Sequence, residues 1–205
     1  MILNRKPVRS LITAVIVACC QALAAQSFNT EEQNLVREKI LHLAIRVNAP
    51  VDSVWSRVIT ETGMEKFFAP ECIFKPEVLS LFEIHFNPVG PVGQKGAEDN
   101  RILAIQEKQM ISFTWDAPPH FAALRKHRTC VSIRLYKTND RETLVTLSQT
   151  GWGQGKEWDA LYTYFEQAWR NFVLPNLKYS LEVKPVDLKD FPKNVPRNLK
   201  PAEKI

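Results

Sequence analysis

The sequence predicts an α+β fold, an antiparallel sheet covered on one face by a long helix near the C-terminus, and three observations predict it. Trp158, Leu161, Tyr162, Phe165, Ala168, Trp169 and Phe172 recur at three- and four-residue steps, which is one apolar stripe of a helix. Between residues 72 and 149, short runs of alternating apolar and polar residues are separated by turn residues, the pattern of successive strands. Ahead of both, an alternating run over residues 39–47 stops at Ala49-Pro50.

In the first strand Ile40, Leu43, Ile45 and Val47 carry the alternation. Asp52 or Ser53 is the expected cap of a short helix, with Val54, Trp55, Val58 and Ile59 at helical spacing and Gly63 as its breaker. Met64, Phe67 and Phe68 form a second helical turn that ends near Pro70. Residues 81–86 place Phe82, Ile84 and Phe86 on one face of a strand and Glu83 and His85 on the other, so His85 is expected at the solvent side. A Pro/Gly loop spans 87–96. Residues 101–106 and 110–115 form a hairpin around Glu107-Lys108, and 129–137 and 143–149 form another, turned by residues 138–141. Strands joined by short turns make an antiparallel meander, one face of which must be covered, and the helix stripe is wide enough to cover it. Pro175 lies inside the helical pattern, which runs to Glu182, and is expected to kink or split it.

The ends of the chain read differently. Arg5, Lys6 and Arg9 precede an uncharged apolar run over 10–20, and Ala22-Leu23-Ala24 supplies small residues. That is a secretory signal pattern over residues 1–24, and the run is shorter than the roughly 20 residues a bilayer-spanning helix needs. The expected location is exported, periplasmic or secreted. The alternative is an envelope lipoprotein, because Ile16-Val17-Ala18-Cys19 resembles a lipidation box that would leave Cys19 on a membrane. Loss of the leader removes three cations and no acid, lowering the formal charge from +5 to +2. No dense basic stripe remains, so a nucleic-acid partner is not expected. Residues 39–182 form the expected domain. Residues 183–205, with Pro185, Pro192, Pro196 and Pro201 among lysines, form a tail that is either an extended surface strap or a disordered end. Past the leader, Cys72 and Cys130 remain, either as a pair in an oxidising compartment or as two free thiols.

Four segments in this order resemble the helix-grip (SRPBCC, START-like) superfamily, which includes lipid-transfer domains, pollen-allergen-type proteins and polyketide cyclases. They are the run from Val47-Asn48-Ala49-Pro50 to Trp55, Met64-Glu65-Lys66-Phe67-Phe68, Ile111-Ser112-Phe113-Thr114-Trp115, and the run from Val145 to Trp152 that leads into the helix. Within the superfamily the chain is most similar to the family named for the activator of heat-shock protein 90 ATPase. The resemblance covers about residues 39–182 and implies a curled antiparallel sheet wrapped around the long helix, with two short helices after the first strand. It also implies a cavity between helix and sheet, in which many superfamily members hold lipids or other apolar ligands, and the family name implies a co-chaperone role.

A pocket needs apolar walls and a few orienting polar groups. Trp158, Tyr162, Phe165 and Trp169 are candidates for one wall, Phe82, Ile84 and Phe86 for another, and Phe68, Trp115 and Trp152 for the mouth, with Gln149 and Tyr162 as polar contacts. The alternative for each aromatic residue is ordinary core packing. Glu98, beside Asp99, is the weak candidate for acid–base chemistry. The Gly151–Lys156 run matches no phosphate-loop spacing, and His42, His85, His120 and His127 have no metal-ligand spacing. No cofactor or metal is expected. The first reading is an exported protein binding a small hydrophobic or amphipathic molecule. The alternatives are a cyclase- or hydrolase-type enzyme using the same cavity, or an interaction module with a protein partner that the sequence does not identify.

Overall fold

The computed structural model describes residues 38–189, 196 and 198–205; the expected signal segment, 1–24, lies outside them. Strand β1 (Leu41–Val47) leads into helix α1 (Val51–Val58) and the single turn α2 (Glu61–Met64). A meander follows: β2 (Glu71–Phe74), β3 (Leu81–His85), β4 (Gly96–Gln106), β5 (Met110–Trp115), β6 (Thr129–Asn139) and β7 (Glu142–Thr150). The long helix comes next, as α3 (Lys156–Ala168), a π-helical segment (Trp169–Val173) and α4 (Leu174–Glu182), and a short strand β8 (Glu203–Lys204) closes the chain. The eight strands form one sheet in the order β2-β3-β4-β5-β6-β7-β1-β8. Every pairing is antiparallel.

Irregularities in register curl the sheet. Between the Phe82–Asn100 and Ile84–Ala97 pairs, Glu98 and Asp99 face the single residue Glu83. A second irregularity lies on β4 around Leu103, and a third where β6 meets β7. An extra residue on one strand bends it and increases its twist, which wraps the sheet around the helix. The helix buries Leu161, Phe165, Trp169, Val173 and Leu177 against inward-facing Leu43, Ile45, Phe113, Val131, Val145 and Leu147. α1 adds Val54 and Val58 to the same core.

Three local expectations are corrected. Neither Asp52 nor Ser53 caps α1; Pro50 occupies the cap position without a side-chain bond, and Asp52 sits in the first turn, paired with Lys108 at 2.9 Å. A carboxylate there favours the positive end of the helix dipole. Gly63 does not break the helix. The break falls at Ile59-Thr60, where Thr60 starts α2 by accepting the Gly63 N–H at 3.0 Å. His85 is buried, not solvent-facing, because Glu71 on β2 and Glu83 two residues earlier each bring a carboxylate oxygen to one of its ring nitrogens, at 2.5 and 3.1 Å.

Pro175 splits the helix as its missing N–H requires, and the disturbance takes the form of the π segment just before it. A proline cannot supply the donor that a carbonyl one turn back would otherwise receive. The Arg170 carbonyl is bonded from elsewhere: it accepts the Ala202 N–H at 2.8 Å, and Arg170 Nε donates back to the Ala202 carbonyl at 3.2 Å. This ring of two bonds docks the C-terminal residues on the helix. They continue as β8 along the free edge of β1, where the Ile205 N–H reaches the His42 carbonyl at 3.1 Å. Nearer the helix end, Val186 and Leu188 are buried, and the Val186 N–H donates to Lys66. A chain ending at Pro201 should lose about 3 kcal/mol, from the three hydrogen bonds of Ala202 and Ile205 at roughly 1 kcal/mol each. Urea denaturation measures this, and an unchanged midpoint would show that the strap carries no stability.

Candidate functional site

One chain of hydrogen bonds sets the centre of the molecule. Gln149, fully buried on β7, accepts the Trp169 indole N–H at 2.8 Å through Oε1. Its Nε2 donates to Thr129 Oγ1 at 2.9 Å, and that hydroxyl donates to the Trp115 carbonyl at 2.9 Å. The backbone carbonyl of Gln149 accepts the Trp152 indole N–H at 2.9 Å. Helix, β7, β6 and the end of β5 are thereby tied together. The rings they carry then meet: Trp115 and Trp169 lie 5.3 Å apart, and Phe68 lies 5.7 Å from Trp115 and 5.5 Å from Trp169. Such aromatic contacts contribute beyond the area they bury.

Beyond this cluster the helix and the sheet part. A partly open pocket of about 750 Å³ lies between the π segment and the end of the sheet. Phe68, Phe86, Ala97, Trp115, Phe165, Trp169, Phe172 and Val173 form its apolar walls. Asn87, Gln94, Lys95, Asp116, His120, Tyr164, Gln167 and Asn171 supply its polar groups. The π segment contributes four of these residues, Trp169, Asn171, Phe172 and Val173, so the widened turn forms part of the wall.

Asp116, directly after β5, is buried beside the pocket. It pairs with Arg125 at 2.8 Å and Arg128 at 3.3 Å and accepts from Asn100 at 3.2 Å. Burial pushes its carboxyl above the ordinary carboxylate range, while Arg125, Asn100 and Arg128 pull it back without cancelling the effect. Arg125 also donates to the Ala117 carbonyl at 2.8 Å and the Gly96 carbonyl at 3.3 Å. Glycine is required at position 96, where a Cβ would stand 2.3 Å from the Ile84 carbonyl oxygen.

The structure brings five of the sequence-predicted residues, Phe68, Phe86, Trp115, Phe165 and Trp169, to this pocket. Phe82 and Ile84 are fully buried in the core beneath it. Gln149 lies inside the protein with both ends of its amide engaged. Trp152 packs on Tyr162 at 5.0 Å, and Trp158 lies over Gly153, where any Cβ would collide with its indole. The Tyr162 hydroxyl donates to the Ile40 carbonyl at 3.4 Å. Trp158 and Tyr162 belong to the first half of the helix and Trp152 to the loop that leads into it, away from the π segment. Glu98 holds the neighbouring loop: its carboxylate accepts the N–H groups of Gly93 and Lys95 at 2.8 and 3.1 Å and lies 3.4 Å from Arg125. Asp116, Tyr164 and Asn171 also line the site and were not singled out in the sequence, and Phe172 was read there only as part of the helix stripe. For Asp116 there was one signal, a lone acid closing the apolar run 110–115. Cys72 and Cys130 are free thiols, and burial drives the Cys72 thiol well above its usual range. Among the described residues no group of three His, Cys, Asp or Glu side chains is placed to hold a metal ion.

A curled antiparallel sheet gripping a long C-terminal helix defines a helix-grip protein. More narrowly, the chain belongs to the family of activator of Hsp90 ATPase homolog 1-like proteins, whose profile matches residues 48–182. No curated protein matches. Solved structures of similar fold include protein MLL2253 from Mesorhizobium loti (20% identity, TM-score 0.54, covering 70% of this chain and 93% of that one). The Aha1 dimer from Colwellia psychrerythraea is similar over 71% of this chain and 98% of its own (17% identity, TM-score 0.52). PFC0360w, an HSP90 activator from Plasmodium falciparum, shares 10% identity over 69% of this chain and 95% of its own (TM-score 0.55). At these identities the likeness is one of fold.

Two outcomes follow from the buried groups. Gln149→Leu leaves the Trp169 N–H and the Thr129 hydroxyl without their partner and should cost about 2–4 kcal/mol in urea denaturation. For Asp116 the folded-state pKa is raised, so ionisation costs stability: the penalty is absent below the unfolded-state pKa and complete above the folded-state value. The stability of Asp116→Asn relative to the parent should therefore be greater at pH 7 than at pH 4. A constant difference would show that the carboxyl is not perturbed.

Proposed function

We propose that the chain is a binding protein that holds a small hydrophobic or amphipathic molecule in the pocket between the π segment and the end of the sheet. The observation that carries this reading is the pocket's size and lining together. About 750 Å³ walled by Phe68, Trp115, Phe165, Trp169 and Phe172 is the volume and chemistry of a small-molecule site. The walls are held by the core, so a ligand meets a preformed surface and loses little on ordering it. Polar groups at the rim, Gln94, Lys95, Asn171 and Gln167, suit an amphipathic ligand whose polar end stays near solvent. Binding is favoured over acid–base catalysis because Glu98 is committed to the 87–95 loop and Asp116 to two arginines.

A protein-interaction role of the co-chaperone kind is the second reading, supported by the family's description and by the HSP90 activator among proteins of similar fold. Export is part of the proposal and rests on Arg5, Lys6, Arg9 and the apolar run that follows. Mass spectrometry of the mature protein should find Ala25 or a lipidated Cys19 at its N-terminus; an intact Met1 would remove export.

Native mass spectrometry of protein purified from its own cells should show a retained apolar molecule, or uptake of an apolar dye added afterwards. Ala168→Trp places a large ring at a half-exposed position on the pocket wall and should weaken dye binding at least tenfold without lowering the unfolding midpoint. Dye binding unchanged by this substitution would place the ligand elsewhere or nowhere.

A further inference from the structure

Val89 and Val92 are the most exposed large hydrophobic side chains among the described residues, at 95% and 90%. Both lie in the Pro/Gly loop beside the pocket mouth, whose Asn87, Gln94 and Lys95 line the pocket itself. Loop tips are ordinarily polar, and a flexible loop can fold stray apolar side chains inward. This loop is stapled open. The Asn87 N–H donates to the Lys95 carbonyl at 2.9 Å, the Gly90 N–H to Asn87 at 3.0 Å and the Gln94 N–H to Pro91 at 3.0 Å. Glu98 holds Gly93 and Lys95 from below. The hydrogen bonds that fix the loop leave the two valines pointing away from all protein surface.

The unpaired charges around them have one sign. Arg125 ties the loop base at Gly96 to the following lobe, 117–128, which carries the exposed Ala122, Ala123 and Lys126. Acids nearby are spent: Glu98 and Asp116 are turned inward, and the exposed Asp99 is paired with Arg101 at 2.9 Å and Arg128 at 3.8 Å. The ammonium groups of Lys95 and Lys126 have no ion-pair partner among the described residues. Two apolar tips on a hydrogen-bonded loop, with one uncompensated lysine in that loop and another on the lobe tied to its base, at the entrance of an apolar pocket, are the chemistry of a peripheral membrane contact.

We infer that residues 87–95 and the 119–128 lobe dock the pocket mouth on a lipid bilayer carrying anionic head groups, with Val89 and Val92 inserted at the interface. A bilayer fits better than a protein. A protein interface needs a contiguous, shape-matched patch of about 800 Å² per partner with large aromatic or arginine anchors, whereas two valines on a loop tip match a fluid interface that needs no complementary shape. Burying both side chains strengthens association on the order of a hundredfold, and each lysine adds about fivefold on an anionic surface. The inference holds whether or not the pocket is loaded.

Hydrogen–deuterium exchange on the full chain tests it locally, with vesicles of phosphatidylcholine alone or mixed with phosphatidylglycerol. Exchange in 87–95 and 119–128 should slow at least threefold with the anionic vesicles and less with the neutral ones, and the slowing should vanish in Val89→Asp/Val92→Asp. Both positions are almost fully exposed, so the variant should fold, and an unchanged melting temperature checks this. No slowing in these segments, slowing confined to the N-terminal residues, or equal slowing in the double variant would overturn the inference.

Discussion

The buried amide of Gln149 is the interaction on which the arrangement depends. An unpaired amide in a core costs a large fraction of a domain's net stability, so this side chain is tolerated only with its hydrogen bonds made. Its oxygen takes the Trp169 N–H and its nitrogen reaches Thr129, which bonds the Trp115 carbonyl. Each bond crosses from one element to the next, so the rotation of the helix about its axis and the position of the end of β5 are set by one side chain. An apolar stripe alone would let the helix slide or roll by a fraction of a turn, since burial is non-directional. The polar chain removes that freedom and puts Trp115 and Trp169 in contact at one end of the helix.

The second constraint is a proline. Pro175 cannot complete the helix ladder, and the turn before it widens into a π segment. The C-terminal residues bond the Arg170 carbonyl on one side of that segment, while Asn171, Phe172 and Val173 face the pocket on another. The same irregularity thus docks the tail and shapes the opening. β8 in turn pairs with Leu43 and Ala44 at the middle of the outer edge of β1, a stretch that would otherwise present unpaired backbone groups.

The fold was legible in the sequence because period and turn chemistry are local signals. The stripe from Trp158 to Phe172 requires a helix, and the alternation over 81–86 and 110–115 requires strands. The site was legible only in part. Trp115, Phe165 and Trp169 stand out as large rings on the inward face, but so do Trp158 and Tyr162, and only the position of the π segment separates wall from packing. His85 shows the limit plainly: alternation places it opposite the apolar face, yet pairing brings Glu71 alongside, and carboxylates from two strands bury it. Glu98 and Asp99 read as an acid pair, and in space they are the bulge that bends β4. Asp116 and Arg125, nine residues apart, meet only because the 117–128 connection folds back over the end of the sheet.

A binding role for the pocket is consistent with this division of labour, since rigid walls come from the core and adaptable polar groups from the rim. The family resemblance supplies the scaffold, and what the scaffold carries is decided by the residues around the π segment. The arrangement depends most directly on Trp169 being locked to Gln149. Hydrogen exchange at the indole N–H groups, followed by nitrogen-15 NMR, tests this. The Trp169 indole proton should exchange only through global unfolding, orders of magnitude more slowly than that of the half-exposed Trp158. Exchange of Trp169 at the rate of Trp158 would contradict it.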